Sequence, residues 1–230
     1  MVSYVRHATP PADQTRQTWF ENVWRCREEK IYPQLFGGSP DGIFRMTDEI
    51  FRQLGQSEID PRWKTLSVLR FWNCPMSGEC LYVTSGLSTP WGFDPSQKNT
   101  EVFSGLGFEF FMRFSGKADF AATVLLWLAA VQTLVACGQL RGELVEALDR
   151  VPLGRPITEG STLDTLFIFP PDDIPAAFEL ESGVVDLFCV TGITVVESSF
   201  AKSQGGDSLL TLLRHHEADR LTNLHRGSVV

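Results

Sequence analysis

Apolar residues recur at helical spacing near the start of the chain and at strand spacing further on. Trp19, Phe20, Val23 and Trp24 fall three and four apart, with Arg16, Glu21, Arg25 and Glu28 elsewhere around the wheel. That pattern predicts a helix from about Thr15 to Lys30. The prolines and glycines of IYPQLFGGSPDG (31–42) are expected to end it. MTDEIFRQLG (46–55) reads as a short helix or turn and DPRWK (60–64) as a surface bend. From Thr65 the texture changes. TLSVLRFWNCP (65–75), ECLYVTSGLS (79–88) and GLGFEFFMRF (105–114) are β-rich runs separated by Pro, Gly and Ser, as in an antiparallel meander. A long apolar helix follows, with Asp119 as its N-cap. RGELVEALDR (141–150) predicts a second helix or an extension, stopped before Pro152 and Pro156. TLDTLFIFPP (162–171) and the stretch 176–201 add strand. The nearly unbroken VVDLFCVTGITVV (184–196) has the composition of a central strand covered on both faces. GDSLLTLLRHHEADR (206–220) predicts a final helix packed through Leu209, Leu210, Leu212 and Leu213. No repeat, low-complexity tract or linker is evident. The reading is one α+β domain over 1–230, with an N-terminal helical segment at about 15–55.

The run Phe120–Leu140 carries no formal charge and calls for a membrane test. A spanning helix needs roughly 20 apolar residues. Thr123, Gln132, Thr133, Gly138 and Gln139 interrupt this run, and five alanines soften it. A helix buried in a protein core is the better account. The opening residues lack the apolar segment of an export signal. The 230 residues, 43% of them hydrophobic and 21% charged, suit a folded domain with a sizeable core. A net charge of −8 argues against binding a nucleic-acid backbone and is compatible with a basic partner. Five scattered cysteines (Cys26, Cys74, Cys80, Cys137, Cys189) suit reduced thiols in a cytoplasm rather than a disulfide framework.

The chain carries no complete signature of reaction chemistry. Gly105 and Gly107 lack the third glycine of a dinucleotide-binding turn. Phe108, Phe110, Met112 and Phe114 alternate with Glu109, Phe111 and Arg113, which is strand texture with a glycine bulge at its entry. The GDSL letters at Gly206–Leu209 match a serine-hydrolase block. That family's downstream Asp-x-x-His is missing, since Thr222 stands three residues after Asp219; a hydrolase using Ser208 is the weaker alternative. His215, His216 and Glu217 are adjacent on a helix and do not converge on an ion; His7 and His225 lack ligand spacing, as does the pair Cys74 and Cys80. Asp172 and Asp173 between prolines read as a solvated turn, and Glu159 and Asp164 stay unassigned. No metal, cofactor or catalytic residue is assigned, and the balance favours a protein that binds.

Several blocks in order resemble the suppressor of fused (SUFU) domain family: CLYVTSGLSTPWG (80–92), GLGFEFFMRF (105–114), LFCVTGITVVE (187–197), SLLTLLR (208–214) and LTNLHRGSVV (221–230). The most specific are Tyr-x-x-x-Gly-Leu-Ser at Tyr82–Ser88 and Gly-x-Gly-Phe-Glu-Phe at Gly105–Phe110. The resemblance covers about Thr65 to Val230, and the N-terminal helix with IYPQLFG is similar to that of bacterial members. It implies a mixed, largely antiparallel sheet layered against helices, and no enzymatic activity. Animal members bind a transcription-factor peptide between two lobes, partly as an added strand, and this chain is too short for both. Stand-alone bacterial members of similar length are associated with polymorphic-toxin loci and immunity. The resemblance therefore implies a protein-binding domain, an immunity protein for a toxin or alternatively a peptide-binding adaptor, while the net charge suits a basic toxin domain and the cysteines a cytoplasmic location. It carries across one site residue: Asp149, after the long helix, falls where the animal protein has an aspartate at its peptide groove. The neighbours Arg150, Pro152 and Leu153 differ from the family pattern.

Overall fold

A computed structural model describes residues 16–72, 78–91 and 103–230. His7, Thr15, Cys74, the end of the TLSVLRFWNCP run and Gly92 lie outside the described residues. Eight strands form one mixed sheet: β1 (Gly42–Arg45), β2 (Ser67–Trp72), β3 (Glu79–Ser85), β4 (Phe103–Ser115), β5 (Arg150–Pro152), β6 (Leu163–Phe169), β7 (Ala177–Leu180) and β8 (Gly183–Thr194). Their order is β1-β2-β3-β4-β8-β6-β5, with β7 paired to the first half of β8. β2, β3 and β4 form the expected meander and β1, not expected from the sequence, extends it, in antiparallel pairs from Gly42↔Arg70 to Val83↔Phe111. β4 meets β8 in parallel, Phe108↔Asp186 through Phe111↔Cys189, and β6 closes antiparallel on the other flank of β8.

Period-two patterning explains why both faces of this sheet are covered. Phe108, Phe110, Met112 and Phe114 of β4 enter one core, and Phe111 enters the other. The first face carries α4 (Phe120–Ala136), α3 (Asp48–Gln53) and the 3₁₀ turn Pro61–Thr65. The second carries α1 (Arg16–Cys26), α2 (Tyr32–Phe36), α5 (Val195–Gln204) and α6 (Gly206–His215). The apolar run is a core helix: Leu125, Leu128, Ala130 and Leu134 of α4 are buried. Among the described residues no helix is long and apolar enough to cross a membrane.

Several expectations need correction. The N-terminal helix does not stop at Lys30. It runs on as a π-turn, Arg27–Ile31, into α2 and ends at Gly37, whose φ of 78° caps it. Trp19, Val23, Arg27, Tyr32 and Phe36 are all buried, at spacings of four, four, five and four. The five-residue step is the π-turn, where Tyr32 N–H bonds the Arg27 carbonyl and both side chains stay toward the sheet. The wider turn also lies where the Pro33 ring would meet the carbonyl four residues back. DPRWK is not merely a surface bend, because Trp63 is buried in the first core. Asp119 holds the N-cap position of α4, but its side chain makes no cap bond. Its Oδ1 instead accepts from Arg70 Nη1 (2.6 Å) and Tyr82 Oη (2.9 Å). RGELVEALDR forms no helix. The central strand ends at Thr194, whose hydroxyl and Glu197 make a capping box that starts α5, so Val195 and Val196 are helical.

The glycine-rich entry of β4 is a strand with an irregular register between Phe103 and Phe108. Gly105 (φ 59°) lies against the backbone of Leu87–Thr89, and a Cβ there would stand 2.5 Å from the Leu87 carbonyl oxygen. Leu106 N–H bonds that same carbonyl at 2.8 Å. The block packs against the loop after β3 and, through Ser104 and Ser182, against the turn between β7 and β8.

Candidate partner-binding edge

Two family blocks meet around a buried charge. Glu109 of β4 is fully buried and accepts from the N–H groups of Gly86 and Ser88 (both 2.9 Å), from Ser88 Oγ (2.7 Å) and from Thr84 Oγ1 (2.6 Å). Arg27 from the π-turn, also fully buried, lies 3.8 Å from Glu109 and donates Nη1 to Ser88 Oγ and Nε to Ser85 Oγ. The Ser88 hydroxyl thus relays between guanidinium and carboxylate. This cluster joins the N-terminal helix to the sheet and is structural. It went unread in the sequence, although Arg27 continues the inward line of Trp19 and Val23 at helical spacing.

The opposite rim of the sheet is open. No described strand lies beyond β5, which pairs only with β6 through Arg150↔Phe167, Val151↔Leu166 and Pro152↔Thr165. The flanking bonds, Leu153 N–H to Asp164 O (2.8 Å) and Ile168 N–H to Asp149 O (3.0 Å), fix the phase of the ladder. Alternation then turns the N–H and C=O of Arg150 and the C=O of Pro152 outward. Pro152 has no donor, so this edge offers one N–H and two carbonyls, enough for a short added strand and poor for open-ended pairing.

The chain enters that edge through a strained turn. Asp149 N–H bonds the Glu146 carbonyl (3.2 Å), and Leu148 between them has φ 75°, where a type II turn ordinarily has glycine. Leu148 N–H and Ile168 N–H bond across to Ile168 O and Asp149 O, the pattern of a G1 bulge. A left-handed non-glycine residue costs roughly 1–2 kcal/mol. The Leu148 side chain offsets this by packing on the second core. Gly206, the first residue of α6, makes room for it, since a Cβ there would stand 2.7 Å from Leu148 Cβ.

Asp149 itself is exposed at the mouth of this turn. Its Oδ2 accepts the Glu146 N–H at 2.8 Å, and among the described residues Oδ1 has no partner. Segment 144–147, held to α4 by Val145 N–H on Gln132 Oε1 (3.0 Å), walls a hollow of about 520 Å³. Its other walls include Phe103, Phe108 and Phe188, with Asp186 among them. Phe103 is 49% exposed there. Burial pushes the Asp186 carboxyl above its ordinary value. An open edge, a free carboxylate oxygen and an aromatic hollow are therefore neighbours in the chain.

The remaining candidates disperse. Ser208 is exposed on α6 and donates to the Gln204 carbonyl (2.8 Å); it has no hydrogen bond to an imidazole or carboxylate among the described residues. His215 and His216 stack edge to face on one another. No cluster of three potential metal ligands occurs among the described residues. Asp172 and Asp173 are not a free solvated turn: Asp173 pairs with Arg113 (2.6 Å), and Asp172 with Arg214 (3.3 Å) and Arg220 (3.6 Å). Burial pushes the Cys189 thiol up to about 12, which leaves it inert near neutral pH.

The sequence profile described as Suppressor of fused protein (SUFU) matches residues 62–227. No curated protein sequence matches the chain. Among solved structures, the chain is similar to Drosophila Suppressor of Fused, with 19% identity and a TM-score of 0.56 over 71% of this chain. It spans 42% of the length of that structure. It is also similar to a chain of the Sufu–Fu complex (17% identity, TM-score 0.64, 92% of each chain). A SUFU homologue from Neisseria gonorrhoeae FA 1090 gives 19% identity and a TM-score of 0.62, over 93% of this chain and 98% of that one.

Proposed function

This chain belongs to the suppressor of fused family, and from that membership we propose that it is a protein-binding domain spanning 1–230. It takes an extended segment of its partner along the outer edge of β5. The observation that carries this reading is the outward-facing Arg150 and Pro152 backbone beside the exposed Asp149. Backbone hydrogen bonds to the edge supply affinity, and the hollow walled by Phe103, Phe108 and Phe188 accepts an apolar side chain that sets specificity. The free Oδ1 of Asp149 receives a basic or hydrogen-bonding group of the segment. Binding within the family is supported by the Sufu–Fu complex, whose fold this chain shares.

The partner we propose is a basic toxin domain, which the protein neutralises in the cytoplasm without catalysis. The net charge of −8 favours fast capture of such a partner and makes the association rate fall with salt. The test is affinity capture from the protein's own cell lysate, with Asp149→Arg beside wild type. A single stoichiometric basic partner, lost in the variant, supports both the role and the site. A partner retained by Asp149→Arg refutes the site. An abundant non-toxic peptide partner turns the reading to an adaptor, and a rate flat with salt refutes the charge argument.

A further inference from the structure

On the opposite side of the molecule from β5, by strand order, the surface near β1 carries a second cleft with different chemistry. It has a volume of about 280 Å³ and lies between α1, β1, the 3₁₀ turn and the loop after β3. Arg27 reaches it from inside. Its Nε and Nη1 are spent on Ser85, Ser88 and Thr89, while Nη2 is buried and has no acceptor among the described residues. A buried guanidinium nitrogen without a partner costs more than the bond it lacks, and a native structure ordinarily supplies water or an ion there. Arg45 lines the same cleft, is exposed, and makes no ion pair among the described residues. Lys64 adds a third cation and leans on Asp48 at 3.1 Å. Against these stand Glu21 in the cleft and Glu109 behind Arg27. Carboxylates thus balance the cations in number, and what the cleft offers an anion is two uncommitted donors, Arg27 Nη2 and the exposed Arg45.

The walls are aromatic. Trp24 is 43% exposed into solvent, and Phe20 packs on Trp91 with ring centroids 5.4 Å apart. Flat apolar walls with cationic donors at the floor and rim suit a ligand that is itself flat and carries one oxyanion. The volume is close to the lower end of small-molecule sites, roughly 300 Å³, and so excludes a dinucleotide.

We infer that this cleft binds a carboxylate or phosphate group borne on a single aromatic ring, with Arg27 Nη2 and Arg45 as its anion donors and Trp24 as a wall. This inference is independent of the β5 edge and stands if that edge binds nothing.

The test is calorimetric titration of the purified full-length chain with N-acetylphenylalanine and with phenyl phosphate, the neutral N-acetylphenylalanine amide serving as control. Quenching of tryptophan fluorescence, lost in Trp24→Ala, is read in parallel. Saturable binding of either acid, weakened at least tenfold by Arg45→Glu and absent for the amide, supports the site. The acid that binds identifies the source as carboxylate or phosphate. Arg45→Glu changes an exposed residue, so equal thermal melting of variant and wild type checks that the fold is kept. Binding of neither acid, equal binding of the amide, or an unchanged Kd in Arg45→Glu overturns the inference.

Discussion

Replacing Glu109 with glutamine keeps the shape of the side chain and removes only its charge. Gly86 and Ser88 N–H can still donate to the remaining oxygen, and Thr84 Oγ1 can turn its hydroxyl to the Phe110 carbonyl at 3.3 Å. What cannot be recovered is the counter-ion of Arg27, since both side chains are almost wholly withdrawn from water. Removing one partner of a buried pair costs about 3–5 kcal/mol, because the other charge stays buried. Glu28 still touches this cluster through Ser85 and softens the loss, so about 3 kcal/mol is expected for Glu109→Gln. Glu109→Ala also orphans the two N–H donors and should reach about 5 kcal/mol. Urea unfolding followed by far-UV circular dichroism reads this directly. With m near 2–3 kcal/mol/M, the midpoint falls by about 1–1.5 M for Glu109→Gln. Arg27→Met completes a double-mutant cycle, and the double variant should lose clearly less than the two single losses added together. A Glu109→Gln loss below about 1 kcal/mol, or strict additivity with Arg27→Met, would refute the claim that the pair acts as one unit.

Gly206→Ala should destabilise by about 1–3 kcal/mol through overpacking on Leu148, although alanine ordinarily favours a helix; differential scanning calorimetry would show a lower Tm, and a raised Tm would contradict the close approach. Gly105→Ala should be worse, about 3 kcal/mol or more, because its Cβ would meet backbone atoms that cannot step aside, and soluble yield with urea midpoint measures it. Burial acts to raise the Glu197 carboxyl, but Arg226 and the N–H groups of Thr194 and Val229 outweigh it and hold it below its ordinary 4.5. The stabilisation from this group is therefore present above about pH 4.5 and lost as pH falls through the lower folded value. Tm measured from pH 7 to 3 should fall less steeply at the acid end in Glu197→Gln than in wild type, and parallel curves would refute the assignment.

Strand identity was legible wherever period two ran through aromatic or β-branched residues, as in β3, β4 and β6, because each such residue belongs to one core or the other. The buried role of α4 was legible from an uncharged run too polar for lipid. RGELVEALDR misled because its letters favour a helix, while Gln132 holds Val145 and the bulge at Leu148 claims the backbone of the next strand. Tertiary contacts override propensity there. Asp149 was singled out only through family likeness to a groove aspartate; its place beside an open edge, its turn and the outward carbonyls depend on a leucine in a glycine conformation, which the letters do not signal. The ion pair of Arg27 with Glu109 left one trace, an arginine on an apolar helical line. The cleft between Trp24 and Arg45 left none, because its walls come from segments distant in sequence.

The parallel contact between β4 and β8 has a kinetic consequence. Strands β1 to β4 are each next to their predecessor, so that half can form through nearby contacts. β5 to β8 likewise pair among themselves. The halves meet along one line, from Phe108 opposite Asp186 to Phe111 opposite Cys189, across a chain excursion that includes all of α4. Closing a long loop before any contact rewards it is slow, so this line should form late and limit the folding rate. Until it does, both strands expose unpaired edges, and that of β4 is rich in phenylalanine. A nascent chain halted after α4 would therefore carry a nearly finished half whose open flank is its most aggregation-prone surface, and release of the second half is what silences it.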